Sequence, residues 1–330
     1  MANQKEIENL VAKIVSEIVN KTESEEKCEC KCKCEWCGNI SDQQKQTAKI
    51  KLQEFRDGES TQSLYIYDDN DNVIGTLGLE MKYNIYFSPT GGTKKVADIL
   101  ASNLGGEVCE VDICRDIEKM SFQAEDVCLV SVPSFAGRVP QIAVERIKKI
   151  SGNGAKAILN CVYGNREWDD TLTELQDTLV SCGFVCIAAV AAVAEHSIFR
   201  QFAAGRPDAD DAKELAEFAR KITAKLESGV FGKLNLAGSH GTYKELANIP
   251  FKPEANDSCD KCGICAAGCP VGAIDKTDPR KTDKDRCISC MRCQYICPKH
   301  ARDLDPAFMS AMAERMAPKL GGRKKNYLFL

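Results

Sequence analysis

The chain has 330 residues, 44% of them hydrophobic, a formal charge of −4 and 19 cysteines. That length predicts about two or three domains, and the acidic balance argues against nucleic acid as the main partner. No run of about 18 apolar residues is present to span a membrane. The first residues lack the basic and apolar regions of a secretory signal. The cysteines are therefore expected in a reducing cytoplasm, under anaerobic conditions, as metal ligands and not as disulfides.

Residues 1–20 place Ile7, Leu10, Val11, Ile14 and Ile18 on one helical stripe. Such an amphipathic helix either docks on its own domain or lays its apolar face into a groove of another protein. Residues 21–80 begin as a polar linker and continue as a cysteine-rich module. Cys28, Cys30, Cys32 and Cys34 alternate at period two and are followed by Cys37. An extended segment would put the first four thiols on one face. The set suits zinc, copper(I) or an additional iron–sulfur centre, with no standard finger spacing to choose among them. Residues 43–57 read as helical. Ser63–Tyr67 and Val73–Leu79 flank an Asp/Asn turn and predict a β-hairpin.

From residue 81 to about 230 short apolar strands alternate with helices. The strands are predicted at Lys82–Phe87, Glu107–Val111, Val127–Val132, Lys156–Val162 and Phe184–Val190. The helices fall at Lys94–Leu104, Pro140–Ile150, Thr171–Ser181 and Asp208–Leu226. The alternation predicts an α/β fold, a doubly wound five-stranded parallel sheet with a ligand site where strand order reverses. Ser88-Pro89-Thr90-Gly91-Gly92-Thr93 follows the first strand and opens a helix. Hydroxyls and free backbone N–H groups at a helix N-terminus suit a phosphate. A Walker lysine is absent, which argues against a nucleotide triphosphatase. Six further cysteines in these strands and helices read as small buried hydrophobes.

Residues 231–254 lack periodicity and are expected to link two domains. Residues 255–304 hold two copies of one pattern, Cys259-x₂-Cys262-x₂-Cys265-x₃-Cys269-Pro and Cys287-x₂-Cys290-x₂-Cys293-x₃-Cys297-Pro, offset by 28 residues. This spacing predicts a small α+β ferredoxin domain with two [4Fe–4S] clusters, the fourth cysteine of each run serving the other cluster. Zinc is the alternative, but it explains neither the third cysteine, nor the proline, nor the duplication. Residues 305–330 predict a helix at Pro306–Leu320 and an apolar tail that folds back onto a domain.

Ser88–Thr93 is similar to the FMN phosphate loop of flavodoxins, commonly (S/T)-x-T-G-x-T. Together with the cysteine repeat, residues 81–330 resemble the ferrodoxin family, a flavodoxin-like domain fused to a bacterial two-cluster ferredoxin. The resemblance implies FMN held at its phosphate by Ser88, Thr90, Gly91, Gly92 and Thr93. It also implies that loops Pro133-Ser134-Phe135-Ala136-Gly137 and Tyr163-Gly164-Asn165 flank the flavin ring. Phe135 or Tyr163 would then supply an aromatic face, or only pack under its loop. Gly92 departs from the asparagine that flavodoxins often carry there. The helix at 1–20 resembles the encapsulation peptides of bacterial microcompartments, which implies shell or cargo proteins as partners and the compartment lumen as a location.

The expected function is electron transfer between FMN, the clusters and a redox partner protein. Two alternatives stand beside it. One is a reductase acting on a small substrate near His196 and Arg206, with His196 otherwise a hydrogen-bonded structural residue. The other is a non-enzymatic redox sensor or scaffold.

Overall fold

The computed structural model describes residues 49–53, 63–67, 73–78, 81–106, 108–246 and 249–330. The helix expected at 1–20 and the cysteines at 28–37 lie outside the described residues. In the N-terminal unit, strands β1 (Lys49–Gln53), β2 (Ser63–Tyr67) and β3 (Val73–Gly78) form an antiparallel sheet in the order β1-β2-β3. The β2–β3 pair is the expected hairpin. β1 corrects the helix expected over 43–57: Lys-Ile-Lys-Leu-Gln alternates charged and apolar residues at period two, the signature of a strand.

The larger unit begins with β4 (Lys82–Tyr86), α1 (Gly92–Asn103) and β5 (Val108–Asp112). It continues with β6 (Met120–Ser121), β7 (Val127–Pro133), α2 (Gln141–Ile147) and β8 (Ile150–Ser151). Then come β9 (Lys156–Tyr163), α3 (Thr171–Ser181), β10 (Val185–Val193) and α4 (Ala209–Ser228). The cysteine repeat contributes β11 (Glu254–Ala255), α5 (Ile264–Ala267), α6 (Arg292–Tyr295) and β12 (Arg302–Asp303). α7 (Pro306–Leu320) and β13 (Tyr327–Phe329) end the chain.

The parallel strands run β5-β4-β7-β9-β10. Counted along the chain that order is 2-1-3-4-5, the flavodoxin-like doubly wound arrangement, and it reverses between β4 and β7. β7 and β9 are buried over almost their whole length, so they read as unbroken apolar runs and not as alternations. One face carries Ile85, Val130, Leu159 and Leu175, and the other Leu100, Leu129, Ile158 and Ile222.

The sheet has six strands, one more than expected. β13 adds antiparallel to β10, pairing Ala189 with Phe329 and Ala191 with Tyr327. An otherwise open edge is thereby closed. Asn326 holds the tail in place: its Oδ1 accepts the Val193 N–H at 2.9 Å, and its Nδ2 donates to Asp211 and Glu214.

Residues 231–246 and 249–253 form neither helix nor strand, and they are a strap and not a free tether. Leu234 and Leu236 enter the main apolar cluster. Gln176 donates to the Leu234 carbonyl, while Asp177 accepts from Tyr243 and the Gly241 N–H. A separate apolar cluster joins the sheet half to the repeat. Phe199 comes from the loop after β10, Phe251 from the strap, Met291 from the repeat and Leu320 from α7.

Candidate functional site

The loop after β4 turns into α1 through Gly91 at φ +84°, a left-handed conformation that favours glycine. The N-cap residue Gly91 offers no capping side chain, and no acid occupies the first turn of α1. The positive end of the helix is left for an anion. Ser88 tightens the turn, its hydroxyl accepting the Lys94 N–H at 2.9 Å. Lys94 itself is engaged by Asp98 and Glu110, whose hydrogen bonds hold its ammonium above its ordinary range despite partial burial.

The ends of β4, β7, β9 and β10 converge on a slot of about 70 Å³. Thr90, Gly92, Thr93, Pro133, Ser134, Phe135, Tyr163 and Gly164 line it, as do Glu195, His196 and Ser197. A cleft of about 600 Å³ between the sheet and the repeat shares Thr90, Gly92, Glu195 and Ser197 with the slot. The slot by itself is smaller than ordinary ligand pockets, about 300–1,000 Å³, and the cleft falls in that range. Gly164 is required by close approach, since a Cβ there would lie 2.9 Å from the His196 ring.

Of the residues expected around FMN, the structure brings Thr90, Gly92, Thr93, Pro133, Ser134, Phe135, Tyr163 and Gly164 into one site. Ser88 and Gly91 shape the phosphate loop from behind. Ala136 and Gly137, both at positive φ, form the turn that returns Arg138 to Phe135. Tyr163 is turned into its own half: its hydroxyl donates to the Lys325 carbonyl and its ring packs on Trp168 at 5.2 Å. Asn165 is buried and donates to the carbonyls of Leu320 and Gly322, so its side chain anchors the C-terminal segment. Phe135 is thus the aromatic residue better placed to face a ring.

His196 accepts the N–H groups of Ile198 and Phe199 on Nδ1, each at 3.1 Å. Burial, with Arg166 nearby, holds its imidazole down at about 4. Arg206 is locked against Asp211, with Nε 2.8 Å from the carboxylate, and also donates to the Lys324 carbonyl. Both side chains are hydrogen-bonded within the fold.

The cysteine repeat folds as spacing predicts. Cys259, Cys262 and Cys265 share one cavity with Cys297, the fourth cysteine of the other run. Cys287, Cys290 and Cys293 lie near Cys269, and Cys293 lies near Cys265 of the other set as well. The Ala273 N–H donates to Cys269 Sγ and the Ala301 N–H to Cys297 Sγ, each at 3.3 Å. Hydrogen bonds to sulfur at matching positions suit cluster thiolates. Among the described residues no three His, Cys, Asp or Glu side chains are set to hold a single metal ion. The buried guanidinium of Arg302 donates to Cys265 Sγ at 3.7 Å and to Thr282 at 2.7 Å.

The contribution of the repeat to this groove was not read from the sequence. Cys290 lines the slot, while Met291, Gln294 and Tyr295 line the cleft. One signal was available: the two copies diverge at Gly263-Ile264-Cys265-Ala266-Ala267 against Met291-Arg292-Cys293-Gln294-Tyr295.

Residues 258–301 match the family described as a 4Fe-4S dicluster domain. A trichloroethene reductive dehalogenase of Dehalococcoides mccartyi is 28% identical over 83 residues, covering 19% of this chain. The chain spans only 15% of the length of that curated relative. Among solved structures, a flavodoxin of Streptococcus pneumonia TIGR4 is 20% identical with a TM-score of 0.32, covering 44% of this chain and 99% of that one. A short-chain flavodoxin associated with a non-canonical PDU bacterial microcompartment is 15% identical with a TM-score of 0.33, covering 46% of this chain and all of that one. The strand order, and not these scores, defines the sheet half as flavodoxin-like. The chain therefore joins a flavodoxin-like domain to a 4Fe–4S dicluster domain. No described helix is long and apolar enough to cross a membrane.

Proposed function

We propose that this chain is an electron-transfer protein that binds FMN in the groove between the two domains and exchanges electrons with a redox partner protein. One observation carries the reading: the slot that collects the loops after β4, β7, β9 and β10 is also lined by Cys290, a cluster ligand. Thr90, Gly92 and Thr93, with the N-terminal N–H groups of α1, would hold the phosphate. Ser134, Phe135 and Gly164 would border the ring. When bound, FMN supplies a carrier that takes one or two electrons where each cluster takes one. The protein's part is to position these groups and set their potentials by burial, by hydrogen bonds to sulfur and by Arg302.

The reductase alternative would draw on His196 and Arg206, and both are already engaged in the fold. Anaerobic purification with iron, sulfide and flavin quantified tests the reading. About eight irons and one FMN per chain are expected from the eight repeat cysteines. A protein with eight irons that binds no added FMN would overturn the flavin half. We also place the chain in a microcompartment, on the helical stripe of residues 1–20. A reporter fused to those residues should co-localise with shell protein, and a diffuse reporter would remove that assignment.

A further inference from the structure

The two copies of the cysteine motif are equivalent in sequence spacing, but the fold treats them differently. Cys262 and Cys290 occupy the same register position, 28 residues apart. Cys262 is exposed, whereas Cys290 is 8% exposed and borders the flavin slot. The residues that follow differ in their contacts, although Tyr295, like Ile264, is exposed. Ile264 and Ala267 of the first copy face solvent. In the second copy Arg292 donates to the Pro89 carbonyl at 3.4 Å, in the phosphate loop. The Tyr295 hydroxyl lies 3.1 Å from where a Cβ on Gly91 would stand. Met291 is buried in the cluster that joins the domains, at φ +60° where the first copy has Gly263 at φ +78°.

The other ligand-bearing segments of the second set also meet residues outside the repeat. Arg146 of α2 donates to the carbonyl of Pro270, next to Cys269, at 2.7 Å. Lys252 of the strap donates to the Cys287 carbonyl. The cavity holding Cys259, Cys262, Cys265 and Cys297 is lined only by residues 259–302, all from the repeat.

From this we infer a fixed direction across the repeat. Cys269, Cys287, Cys290 and Cys293 hold the inner cluster, beside the flavin groove. Cys259, Cys262, Cys265 and Cys297 hold the outer cluster, which meets the partner, a one-electron carrier protein. Exchange at the outer face moves one electron and no bond: the carrier is oxidised as the outer iron is reduced, or the reverse. Two such exchanges, with protons from water, match the two-electron capacity of a flavin. Arg292 and Tyr295 are positioning residues, through which the inner set touches the phosphate loop. The inference rests on FMN occupying the groove, as proposed above.

The test uses the full chain, cluster-loaded and anaerobic, with EPR of the reduced clusters as the readout. Cys262→Ser and Cys290→Ser assign the two signals. A water-soluble dysprosium chelate should relax the signal altered by Cys262→Ser and spare the one altered by Cys290→Ser. FMN added to flavin-free protein should shift only the signal altered by Cys290→Ser. Where loss of a ligand prevents assembly, the non-ligand pair Arg292→Ile and Ile264→Arg replaces it. Arg292→Ile should weaken FMN binding roughly tenfold, about 1.4 kcal/mol, and perturb the inner signal, while Ile264→Arg leaves FMN binding unchanged and perturbs the outer one. Equal relaxation of both signals, or a flavin response in the outer signal, would overturn the direction. Failure of FMN to bind at all, with unequal relaxation intact, would instead remove the reading on which the flavin end of the path depends.

Discussion

The sheet half buries Ile85, Leu129, Leu159, Leu175 and many others in two apolar layers, one on each face of the sheet. The cysteine repeat has as its own buried cluster Cys265, Ala266 and Ile274, with Cys269 and Cys293 against it. A segment of that size cannot supply a sufficient hydrophobic core, so metal–thiolate bonds and docking onto a neighbour must replace it. The contrast teaches that the two sites depend on opposite resources. The groove at the ends of the parallel strands is a consequence of a fold that stands on apolar burial. The cluster sites are the reason their segment folds.

The largest expected effect follows from removing iron. Chelation under anaerobic conditions should strip hydrogen-exchange protection from residues 255–304 while β4, β7 and β9 stay protected, since cluster binding energy is folding energy there. A repeat that keeps its protection without iron would break the comparison. Next comes the joint between the halves. Phe251→Ala should cost about 3–5 kcal/mol, read as early unfolding of the repeat in a denaturant series. Met291→Gly should cost less, about 1–3 kcal/mol, because losing a buried side chain is partly offset by relief of its left-handed φ. If both variants left the order of unfolding unchanged, Phe199, Phe251 and Met291 would not be what couples the halves.

Smaller effects sharpen the sheet side. Gly91→Ala places a Cβ in a left-handed turn and against Tyr295. It should weaken FMN binding about tenfold, roughly 1–2 kcal/mol, with little change in the melting of the sheet, as followed by flavin fluorescence titration. The smallest effect is the pH dependence contributed by His196. Its imidazole sits at about 4 in the fold against 6.5 ordinarily, chiefly through burial. The unfolded chain therefore binds the extra proton between those values. This contribution to stability is complete above pH 6.5 and is lost as pH falls toward 4, at no more than about 1.4 kcal/mol per pH unit. His196→Asn should flatten the slope in that window, measured by denaturation at fixed pH steps. An unchanged slope would assign the acid sensitivity to other groups.

Much of this was legible in the sequence, because local chemistry leaves local patterns. Thiolates of one cluster come mostly from one short run, so spacing alone paired Cys259, Cys262 and Cys265 with Cys297. A phosphate loop must sit between a strand and a helix, so Ser88–Thr93 stood out by context. Buried parallel strands read as apolar runs, and that gave the order of elements from residue 81 onward. The helix expected over 43–57 gives way at Lys49–Gln53 to a strand, whose alternation has period two.

What only the tertiary structure decided is which segments meet. β13 extends the sheet, Leu234 and Leu236 enter its core, and the side chains of Asn165 and Tyr163 hydrogen-bond the C-terminal segment. Such choices depend on complementary shape and hydrogen bonding between residues far apart in the chain, which no local period encodes. The same holds for the cysteine repeat. Its sequence determined eight ligands in two equivalent sets, and a duplicated pattern cannot tell its copies apart by spacing. Contacts with the sheet half and the strap reach the segments of one set, through Arg146, Lys252 and Arg292, and those contacts break the symmetry.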